Sequence, residues 1–215
     1  MSVEHFEFLV EEPSIEVVLR ILLPKIIRNC SFDIHSYQDK NDLLKHLTNR
    51  LRGYSKWIPK NWRIVVIVDR DNADCKKLKD QLEKKALEAN LKTRTAAQGY
   101  DWTVVNRIAE EELEAWYFGD WEAVQKAYPK VSSTIPNKAR YRNPDSIKGG
   151  TWESLERILQ RAGYFMSGLR KKELAKAISK YMVPERNKSH SFQVFLTALC
   201  ESKKPWPETL FSETL

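Results

Sequence analysis

The chain has 215 residues, 42% of them hydrophobic, enough for one buried core with a helical annex. No stretch approaches the roughly 18 uncharged apolar residues of a membrane span, and the N-terminus lacks the basic-then-apolar order of a secretory signal. A net charge of +7 suits an anionic partner, while Cys30, Cys75 and Cys200 match neither zinc-ligand spacing nor a disulfide framework, so a cytoplasmic protein is expected.

In chain order, residues 6–10 read as a first strand that runs into Glu11 and Glu12. Pro13-Ser14 then starts a helix with Ser14 as a plausible N-cap; Ile15, Val18, Leu19, Leu22 and Leu23 recur at helical spacing, and Pro24 is placed to kink or shorten it. Residues 32–37 suit a second strand, 39–51 a helix with Leu43, Leu44 and Leu47 inward, and 53–59 a loop. Residues 63–68 are the strongest strand signal. After Arg63 they carry no polar break, as in a central parallel strand covered on both faces. Residues 72–90 follow as a charged amphipathic helix, 92–96 as a short strand, and 102–108 as a further strand before the chain turns helical from Glu110. This alternation predicts an α/β fold, a mostly parallel sheet flanked by helices. Residues 129–150 hold three prolines and read as a connection; beyond them come helices only, near 151–162, 169–182 and 189–199. The expected layout is an α/β core over 1–128, a connecting loop over 129–150, and a C-terminal helical annex over 151–215 packed on the core.

Two strand exits carry the chemistry. The first strand ends at Glu11 and Glu12, with Glu16 about one turn along the next helix; the central strand ends in Asp69-Arg70-Asp71. Residues i and i+2 of an extended segment point the same way, so Asp69 and Asp71 can reach one cation. Carboxylates do not sit free inside a sheet, but its rim holds them, and hard oxygen donors of this kind suit Mg²⁺. Asp74 can join through water. A third acidic run, Glu110 to Glu114, precedes Trp116 and Tyr117, which read as core; Glu112 is placed to serve a second metal ion. Solvated acids at a helix start explain part of this run.

No glycine-rich phosphate loop with a following Lys-Ser/Thr is present, nor a Gly-x-Ser-x-Gly elbow. His5, His35, His46 and His190 form no metal-spaced motif. The stretch Asn187-Lys188-Ser189-His190-Ser191-Phe192 suits either a phosphate contact or an N-cap at Ser189. Positive charge gathers at Arg170, Lys171, Lys172, Lys176 and Lys188, which read either as a solvated helix face or, with Arg70, as a phosphate-facing patch.

The order of strand-end glutamate and then Asp-x-Asp after an apolar strand resembles the TOPRIM fold of topoisomerases, bacterial primases and overcoming-lysogenization-defect nucleases. More closely, the chain resembles the TOPRIM-like family numbered 4276 among domains of unknown function. The matching stretches are Leu9-Val10-Glu11-Glu12-Pro13-Ser14, Val68-Asp69-Arg70-Asp71, Glu112-Leu113-Glu114-Ala115-Trp116, Asn143-Pro144-Asp145 and the Asn187 to Phe192 segment. The resemblance implies an Mg²⁺-dependent (or Mn²⁺-dependent) nuclease cutting DNA or RNA, the effector of an antiphage defence system with an ABC/SMC-type ATPase partner. It makes Glu11 the acid–base or metal-binding glutamate, Asp69 and Asp71 metal ligands, and Lys172 or Arg170 the group that steadies charge on the phosphoryl group. TOPRIM proteins often carry glycine after the glutamate; Glu12 stands there, so Glu12 with Glu16 is the alternative register. The competing accounts are a non-catalytic partner of such an ATPase, docking through Trp57, Trp62, Trp121 or Trp206, and another Mg²⁺-dependent phosphotransfer enzyme. A homo-oligomer is compatible with all three.

Overall fold

The computed structural model describes residues 2–70, 73–97, 99, 101–109 and 112–201. Strands β1 (His5–Val10), β2 (Ser31–Ser36), β3 (Trp62–Asp69) and β4 (Val104–Ala109) form one parallel sheet in the order β2-β1-β3-β4. Helices α1 (Pro13–Ile26), α2 (Lys40–Ser55) and α3 (Cys75–Glu88) make the crossovers. After β4 come α4 (Glu114–Gly119), α5 (Trp121–Ala127), three short 3-10 turns, α6 (Thr151–Arg161), α7 (Lys171–Ser179) and α8 (His190–Glu201).

Period-two alternation sends strand side chains to two cores. Phe6, Phe8, Val10, Val65, Ile67 and Val105 meet α1 and the later helices. Leu9, Ile64, Val66, Val68 and Val104 meet Leu43, Leu47, Leu51, Leu78 and Leu82 of α2 and α3. Residues Ile64 to Val68 are all fully buried, so the unbroken apolar run follows from cover on both faces. Each such side chain contributes about 1.5–3 kcal/mol of transfer free energy. The later helices share the α1 core: α7 packs on α1, and Lys25 of α1 donates to the carbonyls of Ser179, Lys180 and Met182 at 3.3, 3.1 and 3.0 Å, closing the C-terminal end of α7.

Several boundaries differ from the sequence reading. The helix expected to stop near Leu51 runs through Gly53 to Ser55, because Tyr54 is itself buried on the same stripe as Leu47 and Leu51. The strand expected over 92–96 is a single bridge between Thr93 and Val104; Ala97 N–H already turns back to Thr93 O. Glu12 holds the N-cap position of α1 and Pro13 opens the helix, an early site that costs no hydrogen bond, while Pro24 lies within the last turn without ending it.

Candidate active site

The chain leaves the central pair β1 and β3 in opposite directions, towards β2 through α1 and towards β4 through α3. The two connections lie on opposite faces, so a crevice opens beyond the carboxyl ends of this pair, where open α/β sheets place their ligands. Glu11 and Asp69 stand there. Val10 is level with Ile67, which sets Glu11 just below the exit of β3. The Asp69 N–H donates to Glu11 Oε2 at 2.8 Å, and the Glu11 N–H donates to Ile67 O at 3.2 Å. Both acids are buried, Glu11 at 8% and Asp69 at 4% exposure. Lys40, at the first turn of α2, donates to the carbonyls of Asp69 at 2.6 Å and Arg70 at 3.2 Å, and the Arg70 N–H reaches Ala109 O at 2.9 Å. The exit of β3 is thus held from both sides.

Glu12 faces the later helices. Ser14 Oγ donates to its Oε1, and Lys171 Nζ donates to its Oε2 at 3.0 Å. Lys171 also lies 5.2 Å from the centre of the Trp152 ring. Burial works against the Lys171 charge, yet the carboxylates of Glu12, Glu114 and Asp69 outweigh it and raise its pKa. Glu114 begins α4, a helix whose every residue is buried. Burial pushes its carboxyl up to about 8, against the pull of Lys171 and with the push of Glu112 and Glu12. The Tyr117 hydroxyl is raised well above its ordinary range by burial and then by Glu114, Glu12 and Asp69. Glu12, Asp69, Glu114, Tyr117 and Lys171 therefore share one electrostatic neighbourhood. The sequence places Glu114 within an acidic run and leaves Lys171 as either part of a solvated helix face or a phosphate contact. The residues that flank the acid, Leu113 and Ala115-Trp116-Tyr117, were the available signal for a buried carboxyl.

The remaining expected residues divide. Glu16 is tied to Arg20 Nη2 at 2.7 Å and accepts from Ser36 Oγ at 2.6 Å; although burial opposes it, these hydrogen bonds and the charges of Arg20 and Lys172 lower its pKa. Asp74 caps α3, accepting from the N–H groups of Lys76 and Lys77 at 2.9 and 3.1 Å. Glu112 accepts from Thr151 Oγ1 at 2.7 Å and Trp152 N–H at 2.8 Å, at the start of α6. Arg170 pairs with Glu173 at 3.0 Å, and Lys172, Lys176 and Lys188 have exposed side chains. Of the candidate docking tryptophans, Trp57 is exposed and Trp121 buried. Asp71, Glu110 and Trp206 lie outside the described residues. Among the described residues, the strand-end acids do not bring three ligand atoms within 4.8 Å of one another.

Three sequence stretches far apart meet in one buried network behind this edge. Asp145 accepts from Ser189 Oγ at 2.8 Å, His190 N–H at 2.6 Å, Ser191 N–H at 3.2 Å and Ser191 Oγ at 2.7 Å. Its carboxylate sits at the N-terminus of α8, where the helix dipole favours negative charge. Asn187 Nδ2 donates to Trp116 O at 2.8 Å, Trp116 Nε1 donates to Ser191 Oγ at 3.2 Å, and Ser189 Oγ accepts from Phe192 N–H at 3.3 Å. Ser189 is thus a helix cap as well as a partner of Asp145. The network locks α4, and with it Glu114, to α8.

Glu11, Asp69 and Glu114 are buried carboxylates that offer oxygen donors alone, and Lys171 is hydrogen-bonded to Glu12. That chemistry fits a hard divalent cation such as Mg²⁺. The family model described as Domain of unknown function (DUF4276) matches residues 10–200. Comparison with curated proteins gave no match. Among solved structures, the C-terminal region of the OLD protein of Xanthomonas campestris pv. campestris is similar at 13% identity, over 93% of this chain and 92% of that chain, with a TM-score of 0.45.

Proposed function

We propose that this chain, which belongs to the DUF4276 family, is a divalent-metal-dependent nuclease acting on DNA or RNA phosphodiesters. The observation that carries the reading is the pair of buried acids Glu11 and Asp69, joined by a hydrogen bond from the Asp69 main-chain N–H to the Glu11 carboxylate, at the switch point between the two central parallel strands. Glu11, Asp69 and, from the sequence, Asp71 would hold Mg²⁺, with Glu114 beside them; when bound, the ion polarises the phosphate and lowers the charge that builds on it. The chain's own residues do the rest. Lys40 and the Arg70–Ala109 hydrogen bond fix the β3 exit, so the acids are set before substrate arrives. Glu114, with its pKa raised to about 8, can hold or release a proton near neutral pH. The exposed Lys172 and Lys176 on α7, the helix that begins at Lys171, and the exposed Lys188 before α8 would track the nucleic-acid backbone. On the family resemblance, the enzyme would act in antiphage defence, in the cytoplasm, with an ABC-type ATPase as partner.

The test is cleavage of labelled plasmid, single-stranded DNA and tRNA by the purified chain in Mg²⁺, Mn²⁺ or EDTA. Metal-dependent cutting is expected, reduced at least about a hundredfold by Glu11→Gln or Asp69→Asn. Undiminished cutting by pure, folded Asp69→Asn would refute the assignment. Binding without cutting in every metal would transfer the chain to the class of partner subunits.

A further inference from the structure

A second ligand set lies lower on the sheet, away from the edge that carries Glu11 and Asp69. His5 and Glu7 are two apart on β1 and so share a face, and Glu7 is directly in register with Asp33 on β2. His5 Nε2 lies 3.5 Å from Glu7 Oε1 and 3.7 Å from Asp33 Oδ2, and the three ligand atoms fall within 4.8 Å of one another. His5 is 5% exposed, and its buried Nε2 has no hydrogen-bond partner.

Neighbouring side chains orient both groups. Ser31 Oγ lies 2.7 Å from His5 Nδ1 and 3.3 Å from Glu4 O, so Nδ1 is engaged on the β2 side and Nε2 is the ring nitrogen that faces the two carboxylates. Those contacts are too long for hydrogen bonds and leave room for a cation held by all three groups. The Trp62 ring, 3.9 Å from the imidazole centre, holds the ring plane. Glu7 is steadied through its other oxygen, which accepts from Tyr54 Oη at 2.9 Å and lies 2.8 Å from His35 Nε2. Orienting partners of this kind are what a metal-ligating imidazole and carboxylate require.

We infer that His5, Glu7 and Asp33 form a binding site for a transition-metal ion of the zinc class. Bonds of about 2.0–2.1 Å in a tetrahedron separate ligand atoms by about 3.4 Å, whereas an octahedron of Mg²⁺ separates them by about 2.9 Å. The two separations from His5 Nε2, 3.5 and 3.7 Å, lie nearer the tetrahedral spacing, and an imidazole donor favours zinc over magnesium. Glu7 and Asp33 themselves line a pocket of about 210 Å³, together with His35, Arg50, Tyr54 and Trp57, which leaves room for a further ligand. The ion would also clamp β2, an edge strand with largely uncovered side chains, to β1. This site is independent of the nuclease reading.

Co²⁺ serves as the probe, since tetrahedral cobalt absorbs strongly in the visible and octahedral cobalt weakly. The whole chain is titrated with Co²⁺ and then displaced with Zn²⁺. The expected result is one intense tetrahedral signal per chain, retained by Asp69→Asn and Glu11→Gln, and weakened at least about tenfold in apparent affinity by Asp33→Asn. Asp33 is exposed, so its substitution leaves folding intact; His5→Gln should abolish the signal. Absence of tetrahedral cobalt in the native chain would overturn the inference. So would its survival in both Asp33→Asn and His5→Gln.

Discussion

Glu114→Gln tests the electrostatics of the site through stability, apart from any assay of cutting. Glutamine copies the size and hydrogen-bonding capacity of the protonated acid but never ionises. The folded carboxyl takes its proton with a pKa of about 8, against the ordinary 4.5. Between those values the folded chain binds more protons than the unfolded one, so wild-type stability falls as pH rises. At about 1.4 kcal/mol per pH unit, the gap is worth on the order of 5 kcal/mol, and roughly 3 to 4 kcal/mol of it falls between pH 5 and pH 8. The discount for solvent is small because Glu114 is 2% exposed. Urea denaturation of both proteins at pH 5, 6, 7 and 8, without divalent ions, reads the difference directly; other titrating groups cancel in the comparison. The wild type should be close to the variant at pH 5 and less stable by several kcal/mol at pH 8. Adding Mg²⁺ at pH 8 should recover much of the wild-type loss and move the variant less. Parallel curves, within about 0.5 kcal/mol at every pH, would refute the placement of Glu114 as a buried acid short of positive charge.

Three further outcomes follow from the same structure. Asp145→Ala leaves the donors of Ser189, His190 and Ser191 buried without their acceptor and should lower stability by roughly 3 kcal/mol or more, read from the urea midpoint. Gly119→Ala would set a Cβ 2.0 Å from Asn187 Oδ1 and 2.7 Å from the Ser189 backbone nitrogen, and should cost about 1–3 kcal/mol; combined with Asp145→Ala the loss should fall short of the sum, because both act on one network. Lys172→Ala with Lys176→Ala should weaken nucleic-acid binding evenly across sequences and reduce the slope of log affinity against log salt by about 2, measured by fluorescence anisotropy.

Much of the fold could be read from the chain because local pattern and tertiary cover agree. The run from Ile64 to Val68 is apolar throughout because both faces of β3 are covered, and the acid at its end marks the rim. Where tertiary contact overrides local signal, reading failed. Gly53 looked like a helix stop, yet Tyr54 beside it is buried against α2's own core face and carries the helix on to Ser55. Residues 92–96 have strand composition but touch β4 at one point. Glu114 differs from its acidic neighbours in sequence only by its apolar flanks, and its burial depends on α4 being locked behind the sheet by residues 145 and 187–191. The pairing of His5 and Glu7 with Asp33 needed the strand register, which a sequence does not print.

The acids and the motifs around them thus do different work. Glu11 and Asp69 gain their position from strand pairing, which any parallel sheet provides. What the sheet alone does not provide is a wall on its α1 face that keeps water away from Glu114 and Tyr117. The Asp145 carboxylate supplies it by gathering four donors from the start of α8, and Asn187 then holds the carbonyl of Trp116 one turn before Gly119. Gly119 is the point of closest approach, where a single methyl group meets Asn187 and Ser189. The pKa of Glu114 is therefore a property of the helical annex as much as of the strand ends. A substitution at Asp145, remote in sequence from every strand-end acid, should bring the carboxyl back towards its ordinary value as α4 loosens, and the pH slope of stability should flatten with it.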